Sequence, residues 1–295
     1  MKLFLTGATG YVGSAILDSL TRAGHHVTAL VRTAERAADL RARGVTPILG
    51  NLAEPATYGL AASMCDGTIH AASESSARGP QIDRLAVETL LAHARGVLIY
   101  TSGLWVLGDT TGAATEDAPV NPARNVSWRP EHEQLVLGGS NGLRTIVVRP
   151  GIVYGGFRGI VADLLKDAVN GLIRVIGPGA NHWALVYDRD LGDLYARLAA
   201  TPDASGIYHA TDHGDERVSD IVESLLAALA MRPEVRHVPL DEARKKLKGY
   251  ADALALDQIV RSERARALGW SPSLHSVCRN IPRLLEEWRR GKEAA

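Results

Sequence analysis

Residues 6–13, with the sequence TGATGYVG, constrain the fold of this chain more than any other stretch. They follow a short apolar run and precede residues 14–20, whose apolar positions have helical spacing. The order is therefore strand, glycine turn, helix. In this G-x-x-G-x-x-G pattern Gly7 makes the turn, Gly10 admits a phosphate, and Gly13 lets the helix pack close to the strand. The pattern favours a nucleotide diphosphate at the helix N-terminus over a tight turn without a ligand.

Strand and helix patterns alternate through the first 150 residues. Strands are predicted at residues 2–5, 26–31, 45–49, 67–72, 97–102 and 145–149. This alternation predicts an α/β fold with a Rossmann-type, doubly wound parallel sheet and right-handed crossovers. Residues 1–150 plus about 182–211 are predicted to form the dinucleotide-binding domain. Residues from about 151 to 181 plus 212–295 are predicted to form a smaller, mixed substrate-binding lobe.

Ligands of such sheets bind at the carboxyl ends of the strands. The glycine loop and the predicted strand ends give the following cofactor-binding residues: Gly7, Thr9, Gly10, Tyr11, Val12, Gly13, Arg32, Asn51, Leu52, Ala71, Ala72, Ser73, Thr101, Pro150, Gly151 and Val153. Asn51 either meets the adenine edge or caps the next helix. His70, on a strand that reads as buried, is predicted to be a core histidine rather than a catalytic one.

Arg32 stands directly at the end of the second predicted strand. An acidic residue at this position binds the ribose hydroxyls of NAD, whereas a basic residue suits the 2′-phosphate of NADP. Arg32, with Arg36 one turn later, therefore favours NADP(H) over NAD(H). The alternative is an ordinary surface arginine.

The charge, the apolar stretches and the cysteines of the chain limit the classes of partner that it is expected to bind. The formal net charge of +0 gives no overall attraction to nucleic acid or to an anionic membrane. No stretch approaches the roughly 18 apolar residues of a membrane span. Cys65 and Cys278 form neither a metal-ligand spacing nor a disulfide framework, which suits a reducing cytosol. We therefore expect a cytoplasmic protein that acts on a small molecule, with no metal site.

Three segments together resemble the extended short-chain dehydrogenase/reductases, the family of NAD(P)-dependent epimerases and dehydratases. Residues 6–13 are similar to the family's phosphate loop, and residues 149–155 (RPGIVYG) to its segment beside the nicotinamide. Residues 265–272 (ARALGWSP) are similar to its C-terminal signature. The resemblance covers the whole chain and implies the fold and the cofactor class, but not the substrate.

The family's chemistry uses a serine or threonine and a Tyr-x-x-x-Lys pair, and this chain departs from both. The resemblance aligns Gly103 with the serine, and a shift of one residue lets Ser102 serve instead. Glu133 matches a glutamate of the family's active-site helix, which places Arg129 at the lysine and Asn125 at the tyrosine. A shifted register gives Trp128 and His132 instead, and neither register contains Tyr-x-x-x-Lys.

These replacements change the chemistry that the resemblance implies. Asn125 cannot donate and recover a proton as a phenol can. Arg129 can still hold the nicotinamide ribose, with a permanent charge and a geometry unlike that of lysine. His132 is either an acid that titrates near neutrality or a solvated helix histidine. Ser102 holds either a substrate oxygen or a backbone group. Tyr154 and Tyr187 are weaker candidates for a substitute proton donor.

Two functions remain open. The first is an NADP(H)-dependent oxidoreductase, or an epimerase/dehydratase relative, that acts on a small carbonyl or alcohol with a non-standard active site. The second is a non-catalytic NADP(H)-binding redox sensor or scaffold. The resemblance also implies a homodimer, in which helices at residues 81–94 and 130–137 pair, unless their apolar faces only cover the sheet.

Overall fold

The computed structural model describes residues 1–139, 142–229 and 232–293. The predicted domains also include residues 140–141, 230–231 and 294–295, which lie outside the described residues. The strands are β1 (Lys2–Thr6), β2 (His26–Val31), β3 (Thr46–Leu49), β4 (Gly67–His70), β5 (Val97–Thr101), β6 (Ala113–Ala114), β7 (Arg144–Pro150), β8 (Ile152–Tyr154), β9 (Leu172–Ile176), β10 (His182–Trp183), β11 (Leu185–Tyr187), β12 (Gly206–Ala210), β13 (Glu216–Arg217), β14 (Glu234–Val238) and β15 (Ile259–Val260). The helices are α1 (Tyr11–Arg22), α2 (Ala34–Ala42), α3 (Gly59–Ser63), α4 (Gly79–His93), α5 (Arg129–Leu137), α6 (Ile160–Val169), α7 (Asp188–Ala200), α8 (Val218–Ala228), α9 (Leu240–Leu247), α10 (Gly249–Leu254), α11 (Glu263–Ala267) and α12 (Ile281–Glu293).

The contacts within the chain divide it into two compact units. The first unit contains Met1–Ser102, Trp128–Arg149 and Leu191–Tyr208. The second contains Gly103–Ser127, Pro150–Asp190 and His209–Ala295. Of the predicted catalytic residues, Asn125 belongs to the second unit and Arg129 to the first.

A seven-stranded sheet forms the centre of the first unit, in the order β12-β7-β5-β4-β1-β2-β3. The pairings of β1 with β2 and β4, of β2 with β3, and of β5 with β4 and β7 are all parallel. This order, with β1 between β2 and β4, is that of doubly wound dinucleotide folds. The predicted Rossmann-type sheet is confirmed.

The central strand β1 shows why the sequence folds in this way. Leu3, Phe4 and Leu5 are consecutive and have 0% exposure, as expected for a parallel strand that is covered on both faces. The following helix α1 buries Ile16, Leu17 and Leu20. Helical spacing after a continuous apolar run therefore brings α1 against the sheet directly after the glycine loop.

The second unit has its own apolar core and small two-stranded sheets. β8 pairs with β11, β9 with β14 and β6 with β15 in parallel, whereas β10 and β13 are antiparallel. Trp183, Tyr187 and Trp288 lie in one buried cluster with apolar residues of α6, α8 and α12. Helices α6, α8 and α12 thus have amphipathic faces that this core buries.

Candidate functional site: a dinucleotide pocket in the first unit

The glycine loop is a close-packed cradle at the carboxyl end of β1. Gly7 has φ +79°, and a Cβ there would lie 2.7 Å from the backbone of Ala71 and Ala72. A Cβ on Gly13 would lie 1.9 Å from the carbonyl oxygen of Gly7. Gly10 closes the turn by donating its N–H to that same oxygen at 2.8 Å. The loop has this shape only because neither Gly7 nor Gly13 carries a side chain.

Helix α1 begins immediately after this turn, with Gly10 as its N-cap residue. The first intrahelical bond runs from the N–H of Ser14 to the carbonyl oxygen of Gly10 at 2.9 Å. The N–H groups of the first turn have no acceptor within a helix, and the dipole adds partial positive charge there. Tyr11, Val12 and Gly13 form that turn, which is suited to a phosphate or diphosphate.

A pocket of about 240 Å³ opens beside the glycine loop. Its lining consists of Gly7, Thr9, Gly10, Leu30, Val31, Arg32, Gly50, Asn51, Leu52, Ala71, Ala72, Ser73 and Glu74. Most of the predicted cofactor-binding residues therefore meet in one place, at the carboxyl ends of β1 to β4. Thr101 and Arg129 belong to the same unit without lining this pocket, whereas Pro150, Gly151 and Val153 belong to the second unit.

Four of the lining residues were not predicted from the sequence: Leu30, Val31, Gly50 and Glu74. Each lies within two residues of a predicted one, so the position of a strand end was a sufficient signal for them. Asn51 uses its side-chain oxygen to accept the N–H of Ala53 at 3.0 Å. This bond forms a local turn and does not cap the next helical turn, Pro55–Thr57, which begins after Glu54 and has no side-chain cap.

Arg32 lies at the pocket with an exposed side chain. Its guanidinium has no ion-pair partner within 4.0 Å among residues 1–139, 142–229 and 232–293. Arg36, by contrast, lies 3.5 Å from Asp39 on its own helix. The Arg32 side chain is thus a cation at the pocket that is available to a ligand phosphate.

Arg129 lies against the end of β5. Its Nη1 donates to the carbonyl oxygen of Thr101 at 3.0 Å and to the hydroxyl of Tyr100 at 3.4 Å. The ring of Trp128 covers the guanidinium at 4.5 Å from its centroid. Neither Nη2 nor Nε makes a hydrogen bond within the described part of the chain, so donors remain for a ligand.

His132 is buried, with 3% exposure. Its Nδ1 lies 2.7 Å from Oδ2 of Asp83, and since a carboxylate only accepts, Nδ1 carries the proton. The alternative of a solvated histidine is therefore wrong, because α5 turns this ring into the unit rather than toward water. His70, at the end of β4, is also buried, and its Nδ1 lies 2.6 Å from the hydroxyl of Thr6. The prediction that His70 is a core histidine is confirmed.

Ser102 has its hydroxyl committed to a buried ion pair. It donates to the carboxylate of Glu133, which also accepts from Arg149 Nη2 at 2.5 Å. Glu133 and Arg149 are almost fully buried, so their charges neutralise each other inside the unit.

The candidates of the second unit are less accessible. Tyr187 donates its hydroxyl to Glu287 at 2.7 Å, and burial together with this bond raises its pKa. Tyr154 has 0% exposure, and burial raises its pKa as well. Asn125 has a buried side-chain oxygen without a hydrogen-bond partner among the described residues.

Within the described ranges, no group of three or more His, Cys, Asp or Glu residues is placed to hold a metal ion. The same part of the chain contains no helix with the length and apolar character needed to cross a membrane.

The fold and the pocket define a dinucleotide-binding protein of the Rossmann class. The sequence profile of the NAD(P)H-binding family matches residues 7–162, more than half of the chain. The chain belongs to this family and is an extended short-chain dehydrogenase/reductase, as its motifs indicate.

Relatives and solved structures agree with this assignment. An uncharacterized protein of Schizosaccharomyces pombe is 31% identical over 94% of this chain and 96% of its own length. A 4-hydroxy-2-methyl-3-oxo-4-farnesyl-3,4-dihydroquinoline-1-oxide ketoreductase of Stigmatella aurantiaca is 29% identical over 83% of this chain and 78% of its own. The human epimerase family protein SDR39U1, solved with NADPH, is 20% identical with a TM-score of 0.82 and covers 97% of this chain and 99% of its own. MoeE5, solved with UDP-glucose and NAD, is 17% identical with a TM-score of 0.83 and covers 99% and 100%.

Proposed function

We propose that this chain is an NADP(H)-dependent oxidoreductase, or an epimerase/dehydratase relative, that transfers hydride to or from a small carbonyl or alcohol. One observation carries the proposal: the glycine cradle, the N-terminus of α1 and the unpaired Arg32 meet at one pocket. The named ketoreductase of Stigmatella aurantiaca supports carbonyl reduction. So does a 2-alkyl-3-oxoalkanoate reductase of Stenotrophomonas maltophilia, which is 28% identical over 78% of this chain.

The pocket residues fit the adenosine and diphosphate parts of such a cofactor. The first turn of α1 would bind the diphosphate, and Arg32 would pair with a 2′-phosphate. Asn51 and Leu52 would lie against the adenine, and the backbone of Ala71 to Ser73 has no bulky side chain to hinder a ligand. When bound, the nicotinamide supplies or accepts the hydride.

The catalytic roles belong to the same proposal. Arg129 would hold the nicotinamide ribose with the guanidinium donors that the protein leaves unused. Ser102, whose proton goes to Glu133, would accept a hydrogen bond from a substrate hydroxyl, and Asn125 would donate a hydrogen bond where the family has a phenol. His132 would supply the proton, and its bond to Asp83 would stabilise the imidazolium.

Turnover of NADPH with a panel of small 3-oxo esters and ketones tests this function. We expect oxidation of NADPH that depends on the carbonyl compound and falls at least about tenfold in His132→Gln, since general acids typically contribute that much or more. Arg41→Ala, an exposed change in the last turn of α2, is the matched control and should leave the rate unchanged. No turnover of any carbonyl compound, in spite of NADPH binding, would contradict the oxidoreductase proposal.

Loss of the Tyr-x-x-x-Lys pair favours a second function, a non-catalytic NADP(H)-binding sensor or scaffold. The hydroxyl of Ser102 is engaged by Glu133, in keeping with this alternative. Restoration by Asn125→Tyr together with Arg129→Lys separates the two. Activity that arises only in the double variant supports the sensor, whereas clear activity of the unmodified chain excludes it.

We further propose that the protein is a cytoplasmic homodimer, in which α4 and α5 of two chains pair. Arg84 on α4 bonds to Glu131 on α5, and Leu85 is an exposed apolar side chain of α4. Light scattering tests the assembly, and a mass of one chain would refute it.

A further inference from the structure

The carboxylate that holds His132 is buried and has other polar neighbours besides that histidine. Asp83, on the inner face of α4, has 5% exposure. Its Oδ2 accepts from the hydroxyl of Tyr100 at 2.8 Å and from Nδ1 of His132 at 2.7 Å. Nε2 of His70 lies 3.4 Å from Oδ1, a close electrostatic contact without hydrogen-bond geometry. Three polar side chains thus surround one carboxylate inside the first unit.

Burial acts to raise the pKa of Asp83, but the hydrogen bond from His132 and the nearby ring of His70 outweigh it and hold the pKa well below its usual range. The carboxylate is therefore ionised at every pH where the protein would work. An ionised carboxylate only accepts hydrogen bonds, which fixes the direction of the bonds around it.

The direction of these hydrogen bonds also determines how Arg129 is held. Tyr100 donates its hydroxyl proton to Asp83. Its oxygen can therefore accept a hydrogen bond from Nη1 of Arg129, which lies 3.4 Å away. The carbonyl oxygen of Thr101 accepts a second hydrogen bond from the same nitrogen at 3.0 Å, and Trp128 covers one face of the guanidinium. Asp83 thus orients a guanidinium that it does not contact, through a phenol that is itself fully buried.

The order of the strands shows which part of a bound dinucleotide would lie near the Arg129 guanidinium. Arg32 and Asn51 follow β2 and β3, on one side of β1, whereas Thr101 ends β5, beyond β4 on the other side. A dinucleotide with its adenosine at β2 and its diphosphate at β1 continues past β4 toward β5. Arg129 therefore lies at the end of the sheet edge where the second nucleoside would bind.

We propose that Asp83 is a positioning residue for the nicotinamide nucleoside half of the cofactor, acting through Tyr100 on Arg129. The proposal rests on the proposed function, since it requires that the pocket binds NADPH. It makes Asp83 and Tyr100 specific for the second half of the dinucleotide, because neither lines the adenosine pocket.

Calorimetric titration of the full chain with two probes tests the proposal. NADPH spans both halves of the site, whereas 2′,5′-ADP contains only the adenosine half with its phosphates. We expect Asp83→Asn to weaken NADPH binding roughly tenfold, the size of one hydrogen bond to a charged group, and to leave 2′,5′-ADP binding unchanged. Tyr100→Phe, which keeps the ring and the Asp83–His132 bond, should show the same selective loss. If Asp83→Asn does not fold, the binding of the two probes by Tyr100→Phe tests the proposal in its place.

A double-mutant cycle separates positioning from a structural role. If Asp83 acts through Arg129, Asp83→Asn has no further effect on NADPH binding in an Arg129→Ala background. Asp18→Asn, which removes an exposed carboxylate paired with Arg43 on the surface of the same unit, should bind both probes normally.

The outcomes are distinct. Equal weakening of both probes, or a full additional loss in the Arg129→Ala background, would overturn the positioning role. Normal binding by both Asp83→Asn and Tyr100→Phe would overturn it as well, with the proposed function intact. Failure of the unmodified chain to bind either probe would overturn the proposed function itself.

Discussion

Gly13 lies so close to Gly7 that a Cβ on the helix residue would stand 1.9 Å from the loop residue's carbonyl oxygen. That oxygen also accepts the N–H of Gly10, so it cannot move without opening the turn. The position of the first helix and the shape of the phosphate cradle are therefore one structural feature. A change at this contact should affect stability and cofactor binding together.

Gly13→Ala tests this coupling. We expect a loss of roughly 1–3 kcal/mol of unfolding free energy, the usual cost of forcing extra volume into a packed site, and a loss of NADPH affinity. Gly10→Ala is the comparison, because a Cβ there would lie 3.2 Å from the same oxygen and needs only a small shift. Urea unfolding and NADPH titration show which of the two variants loses more stability and more affinity. Gly13→Ala as stable as Gly10→Ala, with normal affinity, would contradict the close packing.

The buried pair of Glu133 and Arg149 predicts a large effect of a nearly isosteric change. Glu133→Gln leaves the Arg149 guanidinium buried without a counter-charge, and such losses typically cost about 3–5 kcal/mol of unfolding free energy. Glu234→Gln is the matched control, because its partner Arg236 is 2.9 Å away and both side chains are more than half exposed. Pairs of that kind contribute about 0–1 kcal/mol, so denaturant unfolding should separate the two variants clearly. Similar unfolding free energies would show that Arg149 does not depend on Glu133.

Asp212 predicts how stability changes with pH. Burial raises the pKa of this carboxyl to about 7. The unfolded chain releases the proton near pH 4, so between about pH 4 and 7 the folded state binds more protons and the unfolding free energy falls as pH rises. In Asp212→Asn this fall in unfolding free energy is absent, because the amide does not titrate. The N–H of Gly214 donates to Oδ1 of Asp212 at 2.9 Å, and the amide oxygen of asparagine can accept the same bond.

The variant should therefore gain stability relative to the unmodified chain as pH rises from 5 to 8, by roughly 2–3 kcal/mol. Urea unfolding of both proteins across this range gives the difference profile, in which groups that titrate equally in both cancel. A difference that does not change with pH would mean that Asp212 titrates as an ordinary exposed carboxyl.

The sequence predicted the features that depend on local, periodic patterns. The glycine spacing at 7, 10 and 13 and the apolar run of β1 gave the strand, turn and helix at the N-terminus. The predicted strand 26–31 has the same bounds in the structure. The cofactor pocket followed because the carboxyl ends of parallel strands meet at one edge.

Among the elements of the second unit that were not predicted, β14 and α10 show two different reasons. β14 has the sequence EVRHV, and its charged, mostly exposed residues give no apolar strand pattern, although it pairs with β9. α10 begins at Gly249, and a glycine after a helix normally indicates the end of a helix rather than a new start.

The Asp83 cluster was not predicted because its members are distant in sequence. Asp83, Tyr100 and His132 lie on three different elements, and only the folded sheet and helices bring them together. One signal was present: Asp83, Ala86 and Leu90 share one face of α4 and are all buried. An acid on an apolar helix face indicates a buried partner, but the sequence does not say which residue that is.

A fluorescence titration with NADPH and, separately, NADH tests the central claim most directly, on the unmodified chain and on Arg32→Ala. We predict that the chain binds NADPH much more tightly than NADH. Arg32→Ala should lose about 10–100-fold in affinity for NADPH, as expected for a charged hydrogen bond to a phosphate, and little for NADH. Equal affinity for the two cofactors would contradict the role of Arg32, and no binding of either would contradict the function proposed for the pocket.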